Sequence, residues 1–346
     1  MQRTLTSGPI TSSILLFALP LMFGNLLQQM YNIADTWVVG RFLGADALAA
    51  VGSSYTLMTF LTSILLGLCM GSGAAISMQY GSGEYDKMRQ SVFQSFVLIA
   101  GMALVLNLLV YLGLDGILWV LRVPEELKLL MKDYLVIIFL GITATFLYNY
   151  FANLLRAIGN SVVPLVFLAV SSILNVVLDL WFIAGMGMGV AGAAVATDVS
   201  QLISCLLAVS YLLRVKSDYK IRVKNLCLDG DMARRIVRMG LPTGIQNMVI
   251  SFSNVLVQTS VNHYGAMAMA GFTAYLKVDG FNILPVLSIS MAVTTFVGQN
   301  YGAGKHARIK HGIYVALAIY GIHLGTVSFL GVHGKVLGTY THALAL

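Results

Sequence analysis

The sequence predicts an all-α polytopic membrane protein of about nine transmembrane helices, six in a first repeat and three in a second. Of its 346 residues, 58% are hydrophobic and only 10% are charged, whereas soluble proteins carry about a quarter charged residues. Apolar runs long enough to cross a bilayer as helices follow one another along the whole chain. An internal repeat then divides these runs into two unequal sets.

Short polar or glycine-rich breaks separate the predicted spans, and the longest break is "RVKSDYKIRVKNLCLDGDMARRIVRMG". The segment "GMGMGVAG" is typical of a tight turn between the fifth and sixth spans. The nine spans are predicted at residues 13–40, 46–80, 88–114, 127–156, 162–184, 190–214, 237–262, 268–300 and 309–332.

Basic residues are distributed unequally between the two sides of these spans. If the N-terminus is cytoplasmic, 15 of the 21 Lys and Arg lie in cytoplasmic segments, five lie outside, and Lys277 falls within a span. The positive-inside rule therefore predicts a multi-pass protein of the cell membrane, or inner membrane, with a cytoplasmic N-terminus. The net charge of +7 is spread over loops, so we expect the lipid bilayer and no nucleic acid as partner. The three cysteines are far apart and indicate neither a disulfide framework nor a metal site.

The repeat pairs "LPLMFGNLLQQMYN" (19–32) with "LPTGIQNMVISFSN" (241–254) at an offset of 222 residues. Six spans lie between the two starts, so the repeats are parallel and can enclose a central cavity, as in transporters. We predict an N-terminal six-helix lobe at 1–213, a cytoplasmic inter-lobe linker at 214–236 and a partial C-terminal lobe at 237–346. The second repeat is about three helices shorter than the first, so we expect a C-terminally truncated chain.

Polar residues in the first span form one stripe. Gln28, Tyr31, Asn32 and Asp35 are spaced i, i+3, i+4 and i+7 and share a helical face. A carboxylate within a span is costly unless it is paired, hydrated or protonated. Asp35 could lie at the outer headgroups, but the stripe favours a wet cavity.

A second carboxylate lies near the end of the fifth span. Asn175 and Asp179 are four residues apart and share a face, while Thr197 and Asp198 follow in the sixth span. If the carboxylates of Asp35 and Asp179 meet, they can hold a proton between them or, with other oxygens, a cation such as Na⁺. Neighbours on a helix diverge by about 100°, so we favour Thr197 as the partner and regard Asp198 as a possible ion ligand.

These motifs resemble the multidrug and toxin extrusion (MATE) family. The resemblance is carried by "YNIADTWVVGRFLGADALAAVG", "LRAIGNSVVP", the repeated "YGSG" and "YGAG", and the "NVVLD" spacing. It covers essentially the whole chain. It implies twelve helices in the complete family fold and an N-lobe ion site at Asp35, Asn175, Asp179 and Thr197.

The second repeat departs from the family pattern, since some members place an acidic ligand on helix 7. Here Val257 is the counterpart of Asp35, and the polar residues of that helix carry no acid. We expect helix 7 and the intramembrane polar residues of the eighth span to face substrate, although Lys277 and Asp279 could also pair structurally with other helices. The predicted substrate-cavity residues are Gln28, Tyr31, Asn32, Asn247, Asn254, Gln258, Lys277, Asp279 and Asn282. Pro20 and Pro242 are predicted to kink helices 1 and 7.

The sequence therefore predicts a secondary active transporter. A membrane-embedded enzyme is not expected, because the sequence shows no nucleophile–base or metal constellation. It would export amphipathic or cationic compounds in exchange for H⁺, or Na⁺, by alternating access, as a monomer with no cofactor besides the coupling ion. H⁺ is the first choice because the cluster is rich in carboxylates. The alternatives are a lipid-linked saccharide flippase of the related superfamily, which would need a strongly basic cavity, and a nonfunctional fragment.

Overall fold

The computed structural model describes residues 4–120, 123, 125–215, 228–262 and 266–344. Side-chain positions are described in these ranges except at 120, 255, 258–259, 261–262, 266–279 and 327–344. Within the described ranges the chain forms nine α-helices and no strand, which confirms the all-α fold class. The helices are α1 (Ile10–Leu43), α2 (Ala45–Ser82), α3 (Tyr85–Val120), α4 (Glu125–Ala157), α5 (Val162–Asp179), α6 (Gly189–Arg214), α7 (Gly230–Asn262), α8 (Ala266–Gly302) and α9 (His306–Leu344).

Seven of the described helices are long and apolar enough to cross a bilayer, namely α1 to α6 and α8. Helix α5 continues into a π-helical turn at Leu180–Gly185 before a short connection to α6. That connection contains Gly187 at φ 68°, and Gly189 at φ 63° opens α6. The tight turn predicted from "GMGMGVAG" is therefore confirmed. Pro20 and Pro242 each lie inside a continuous helix.

The two repeats end their second helices in the same way. After α2, Gly83 has φ 75° and donates its N–H to the Tyr80 carbonyl at 3.3 Å, while Glu84 N–H reaches the Gln79 carbonyl at 3.1 Å. After α8, Gly304 has φ 70°, and the corresponding two bonds run to Tyr301 at 3.0 Å and from Lys305 to Asn300 at 2.9 Å. This pattern of two bonds around a left-handed glycine ends many helices. It explains why "YGSG" and "YGAG" recur in the sequence.

Helix α2 crosses α7 with their backbones in contact. A Cβ atom at Gly67 or Gly71 would overlap the backbone of α7 at Gly244 and Gly240. Small residues allow such close approach between membrane helices, where dispersion forces and not water drive the packing. The repeat-related crossing joins α1 to α8, where Asn25 Nδ2 donates to Ser288 Oγ at 2.9 Å.

Helices α2 and α8 also meet near their C-terminal ends. Gly81 lies against the backbone of Gln299, and Gly302 lies against the backbone of Met78. The two glycines are repeat equivalents, so the contact is approximately symmetric. It lies on the face of the bundle that carries the α2–α3, α4–α5 and α8–α9 connections, which we call the N-terminal face.

Residues 4–8 form a strap across this face. Leu5 is 1% exposed; its N–H donates to Gln299 Oε1 at 3.0 Å, and its carbonyl accepts from Asn300 Nδ2 at 3.1 Å. Arg308 donates to the carbonyls of Ser7 at 2.9 Å and Gly8 at 2.7 Å. Gln299 Nε2 also donates to the Ala157 carbonyl at the end of α4. The strap and Gln299 therefore join the beginning of the chain, α4 and α8 in one network.

Replacing Gly71 by Ala tests the α2–α7 crossing. The added Cβ would overlap the α7 backbone at Gly240, so we expect a lower thermal unfolding temperature in detergent, with an overpacking cost of about 1–3 kcal/mol. Gly52→Ala is the matched control, because Gly52 lies on the same helix with open space around its Cα. Its unfolding temperature should stay unchanged or rise, since alanine favours helix over glycine. Equal effects of the two substitutions would contradict the crossing.

Candidate functional site

Asp35 of α1 and Asp179 of α5 lie against each other inside the bundle. Their carboxyl groups are within hydrogen-bonding reach of one another. Asp179 is 0% exposed, and Asp35 is half-buried. The structure thus brings together the two carboxylates that the sequence singled out, although they are 144 residues apart in the chain.

The backbone changes its helical form directly after Asp179. The regular α5 helix ends at that residue, and a π-helical turn covers Leu180–Gly185. A π turn winds more residues into one turn, so it shifts which side chains face the bundle, and such turns occur frequently at functional sites. The sequence analysis missed this turn, which carries no recognised sequence signature here.

Asn175 and Thr197 connect α5 to α6 beside the carboxyl pair. Asn175 Nδ2 donates to Thr197 Oγ1 at 3.4 Å, and Ser171 Oγ donates to the Ser200 carbonyl at 3.1 Å one turn away. These contacts surround a small polar cavity of about 170 Å³. The residues that line it are Tyr31, Ser171, Ser172, Asn175, Thr197, Ser200 and Gln201. Asn175 and Thr197, predicted on separate helices, are therefore in contact.

The carboxyl pair and Asn175 present oxygens that lack hydrogen-bond donors. Within the described ranges, Asp35 Oδ1, Asn175 Oδ1 and both carboxylate oxygens of Asp179 are buried without a donor. Buried polar atoms are nearly always satisfied, and a buried carboxylate is expensive unless it is paired. A group of acceptors with no donor suits an electropositive guest such as a proton or a small cation. Among the described residues no His, Cys, Asp or Glu cluster has the composition of a transition-metal site.

A larger cavity lies between α1, α2, α4 and α6. Its volume is about 1040 Å³ including the part open to the surroundings. Of the predicted residues, Gln28, Tyr31, Thr197 and Asp198 line it, and Asp198 also accepts a hydrogen bond from the Gly141 N–H at 3.1 Å. Tyr31, Thr197 and Gln201 line both cavities. The two cavities are therefore adjacent and share part of their walls.

Four other predicted cavity residues are described by the structure, and they line neither cavity. Asn32 is half-buried on α1 and lines neither cavity, Asn247 is half-buried on α7, and Asn254 is exposed there. Asn282 is exposed on α8, and its carbonyl lies 3.0 Å from His323 Nε2. The side chains of Gln258, Lys277 and Asp279 lie outside the described residues. The predicted roles of these seven positions stay predictions.

Three residues that the sequence analysis did not select take part in the site. Tyr134 of α4 is buried within electrostatic range of Asp35, Asp179 and Asp198. Tyr148 and Arg156, also on α4, line the larger cavity. Arg156 is one of the 15 basic residues that the sequence analysis assigned to cytoplasmic segments.

Apolar helices, backbone contacts between repeats and a polar cavity inside the first repeat define a helical membrane transporter. The MatE family profile matches residues 20–181 and 242–335. The chain belongs to this family, the multidrug and toxin extrusion transporters, which are multi-pass proteins of the cell membrane and not enzymes.

Curated relatives carry names that refer to drug resistance. The chain is 33% identical over 304 residues to the probable multidrug resistance protein YpnP of Bacillus subtilis (strain 168), covering 88% of this chain and 68% of YpnP. It is 27% identical to the multidrug export protein MepA of Staphylococcus aureus (strain NCTC 8325 / PS 47), covering 91% of this chain and 70% of MepA.

Solved structures share the fold. An outward-facing multidrug resistance MATE family transporter matches with a TM-score of 0.87 and 24% identity, covering 94% of this chain and 73% of that chain. A MOP superfamily transporter from Pyrococcus furiosus Vc1 matches with a TM-score of 0.88 and 24% identity, covering 95% and 74%. These matches cover nearly the whole chain and support the fold described above.

Proposed function

We propose that this chain exports amphipathic or cationic organic compounds in exchange for H⁺, or Na⁺, by alternating access. The observation that carries the proposal is the carboxyl pair of Asp35 and Asp179, which is buried without donors in the described part of the chain. Such a pair is costly inside a membrane protein unless it binds a positive ion. The proposed role of the pair is to bind and release the coupling ion.

The geometry favours H⁺ over Na⁺. Two carboxyl groups within hydrogen-bonding reach can share one proton, and their mutual repulsion disfavours ionisation of both. A hard metal cation prefers several oxygen ligands at once. Besides the carboxyl pair, the buried oxygens of α5 without a hydrogen-bond partner are Asn175 Oδ1 and Ser172 Oγ. Asn175 and Thr197 are assigned as neighbours of the ion, and no further cofactor is proposed.

Coupling to substrate is proposed to pass through residues common to both cavities. Tyr31 and Thr197 line the small cavity beside Asn175 and the large cavity between α1, α2, α4 and α6. A change of charge at the carboxyl pair would alter the hydrogen bonding of these side chains and hence the shape of the large cavity. The names of YpnP and MepA favour drugs as the compounds exported.

Alternating access requires the two repeats to separate on one side at a time. On the N-terminal face, the glycine contact of α2 with α8 and the strap network hold them together. Release of these contacts would open that face, which we propose to be cytoplasmic. The protein is proposed to act as a monomer, with 1–213 and 237–346 as lobes and 214–236 as the linker between them.

The saccharide flippase alternative is less well supported by the cavity. Arg156 adds one positive charge to its wall beyond what the sequence analysis expected, but Asp198 in the same cavity offsets it. A strongly basic cavity is therefore not present among the described residues. The nonfunctional-fragment alternative is decided by the export measurements below.

We expect the linker to be cytoplasmic. Cys227 lies in it, and Cys69 and Cys205 are buried, so an impermeant maleimide should label Cys227 selectively. Labelling should be absent on intact cells and strong on inverted vesicles, and Cys227→Ser should abolish it. Strong labelling of intact cells would reverse the proposed orientation.

Asp35→Asn should abolish gradient-driven export while the protein still folds and reaches the membrane. The amide keeps the shape and hydrogen-bonding capacity of the side chain but removes its negative charge. Asp179→Asn should have the same effect, and the double variant should be little worse than either single one, because the two residues act as one site. Export of a fluorescent drug from energised cells, with membrane levels checked by immunoblot, measures this.

The matched control is Asp46→Asn, which removes an exposed carboxylate from the first turn of α2. It should export at the parental rate. Parental export by Asp35→Asn, with unchanged dependence on pH and Na⁺, would contradict the proposal. Export by none of the proteins, the parent included, would favour the fragment alternative.

A further inference from the structure

We infer that Asp198 recognises the positive charge of the substrate in the large cavity, separately from the coupling carboxylates. The inference rests on the proposed function, because it concerns what that exporter binds. It assigns a specificity role to a residue that the sequence analysis regarded only as a possible ion ligand. The ligand class is a bulky organic cation with apolar or aromatic substituents.

The placement of Asp198 separates it from the ion site. Asp198 lines the large cavity, whereas Asp35 and Asp179 line neither cavity. It follows Thr197 on α6, so the two side chains diverge by about 100°. Thr197 reaches Asn175 on α5, while Asp198 reaches Gly141 on α4. The side chains of Thr197 and Asp198 therefore contact different helices, α5 and α4 respectively.

Gly141 fixes the position of the Asp198 carboxylate. The Gly141 N–H donates to Oδ2 at 3.1 Å, and a Cβ atom at Gly141 would overlap the carboxylate itself. The carboxylate thus occupies the space that the side chain of any residue other than glycine would fill at position 141. In the described part of the chain it forms no ion pair. The backbone therefore fixes the orientation of the carboxyl group, and a bound organic cation would supply the countercharge that the described residues do not.

The cavity around Asp198 has the lining that an organic cation requires. Its walls combine aromatic and aliphatic groups, and aromatic faces attract cations at close range. The apolar and aromatic residues that line it are Tyr31, Tyr55, Met58, Ile138, Phe146 and Tyr148. The enclosed space is about 210 Å³, which is smaller than a typical pocket for a drug-sized ligand, so the ligand would also occupy the part of the cavity that is open to the surroundings.

One protein cation, Arg156, faces the same cavity and orients the ligand. Gly141 and Arg156 lie fifteen positions apart on α4, which is about 22 Å along the helix axis at 1.5 Å per residue. Arg156 therefore lies toward the N-terminal face. Asp198, on α6, contacts α4 at Gly141, about midway along that helix. A cation is attracted to the Asp198 end and repelled from the Arg156 end, so its charged group should settle near α6.

The experiment compares two probes of similar size in equilibrium binding to the purified chain in detergent. Tetraphenylphosphonium carries a permanent positive charge, and triphenylphosphine oxide is neutral. The parent should bind the cation at least several-fold more tightly than the neutral probe. Asp198→Asn should weaken tetraphenylphosphonium binding by about tenfold, as expected for loss of one poorly screened charge, and leave the neutral probe within about twofold.

Asp46→Asn is the control for general loss of negative charge and should leave both affinities unchanged. An equal loss for both probes in Asp198→Asn would make Asp198 a structural residue of the α4–α6 packing. Unchanged affinity for both would also overturn the inference. If Asp198→Asn fails to fold, the parent alone decides, because equal affinity for cation and neutral probe excludes charge recognition.

Binding is measured without an ion gradient, so its result is independent of the coupling proposal. Loss of export in Asp35→Asn together with unaltered cation preference in Asp198→Asn would overturn only the inference about Asp198. Parental export by Asp35→Asn together with lost cation preference in Asp198→Asn would overturn only the coupling role.

Discussion

The approach of two carboxyl groups inside an apolar bundle is the constraint on which the rest of this protein depends. Asp35 and Asp179 come from α1 and α5, and three of their four carboxyl oxygens are buried without a hydrogen-bond partner in the described residues. If both groups are ionised and no cation is bound, they repel each other and lose hydration, which disfavours close packing of α1 on α5. A bound positive ion would attract both groups. Under the proposed function, the packing of the first repeat is therefore linked to ion occupancy.

The cavities and helix contacts transmit this local balance to the whole molecule. Tyr31 and Thr197 belong to both cavities, so the packing of α1 and α6 at the ion site also shapes the larger space. On the N-terminal face, glycines of α2 and α8 hold the repeats in backbone contact. Such contacts are stable only in one close arrangement, which favours switching between discrete packings over gradual deformation.

Much of this fold was predictable because membrane helices leave strong sequence signals. Apolar length placed the helices, and the offset that pairs Pro20 with Pro242 showed the repeat. The two carboxylates of the candidate site were noticed for a related reason, since a carboxylate within an apolar run has few structural explanations. Their role in ion binding stays a prediction. The contact between Asn175 and Thr197 followed from the family resemblance and is present.

Other features depend on three-dimensional packing and leave no periodic signal. The π turn after Asp179 arises from backbone hydrogen bonding that no residue type specifies. Arg156 lies in the last turn of α4, next to a break in the sequence, yet it lines the large cavity. The position of the Asp198 carboxylate depends on Gly141, which lies 57 residues earlier on another helix and donates its N–H to that carboxylate. Helical spacing relates only residues of one helix, so it does not predict long-range pairs of this kind.

The most direct test of the coupling role is proton release on drug binding. Tetraphenylphosphonium is added to the purified chain in weakly buffered, Na⁺-free detergent solution, and a pH-indicator dye reports protons released. If ion and substrate compete through the Asp35–Asp179 pair, the parent should release protons, and both Asp35→Asn and Asp179→Asn should release none while still binding the drug. The account would be contradicted if the parent bound the drug without releasing protons. It would also be contradicted if the two variants released as many protons as the parent.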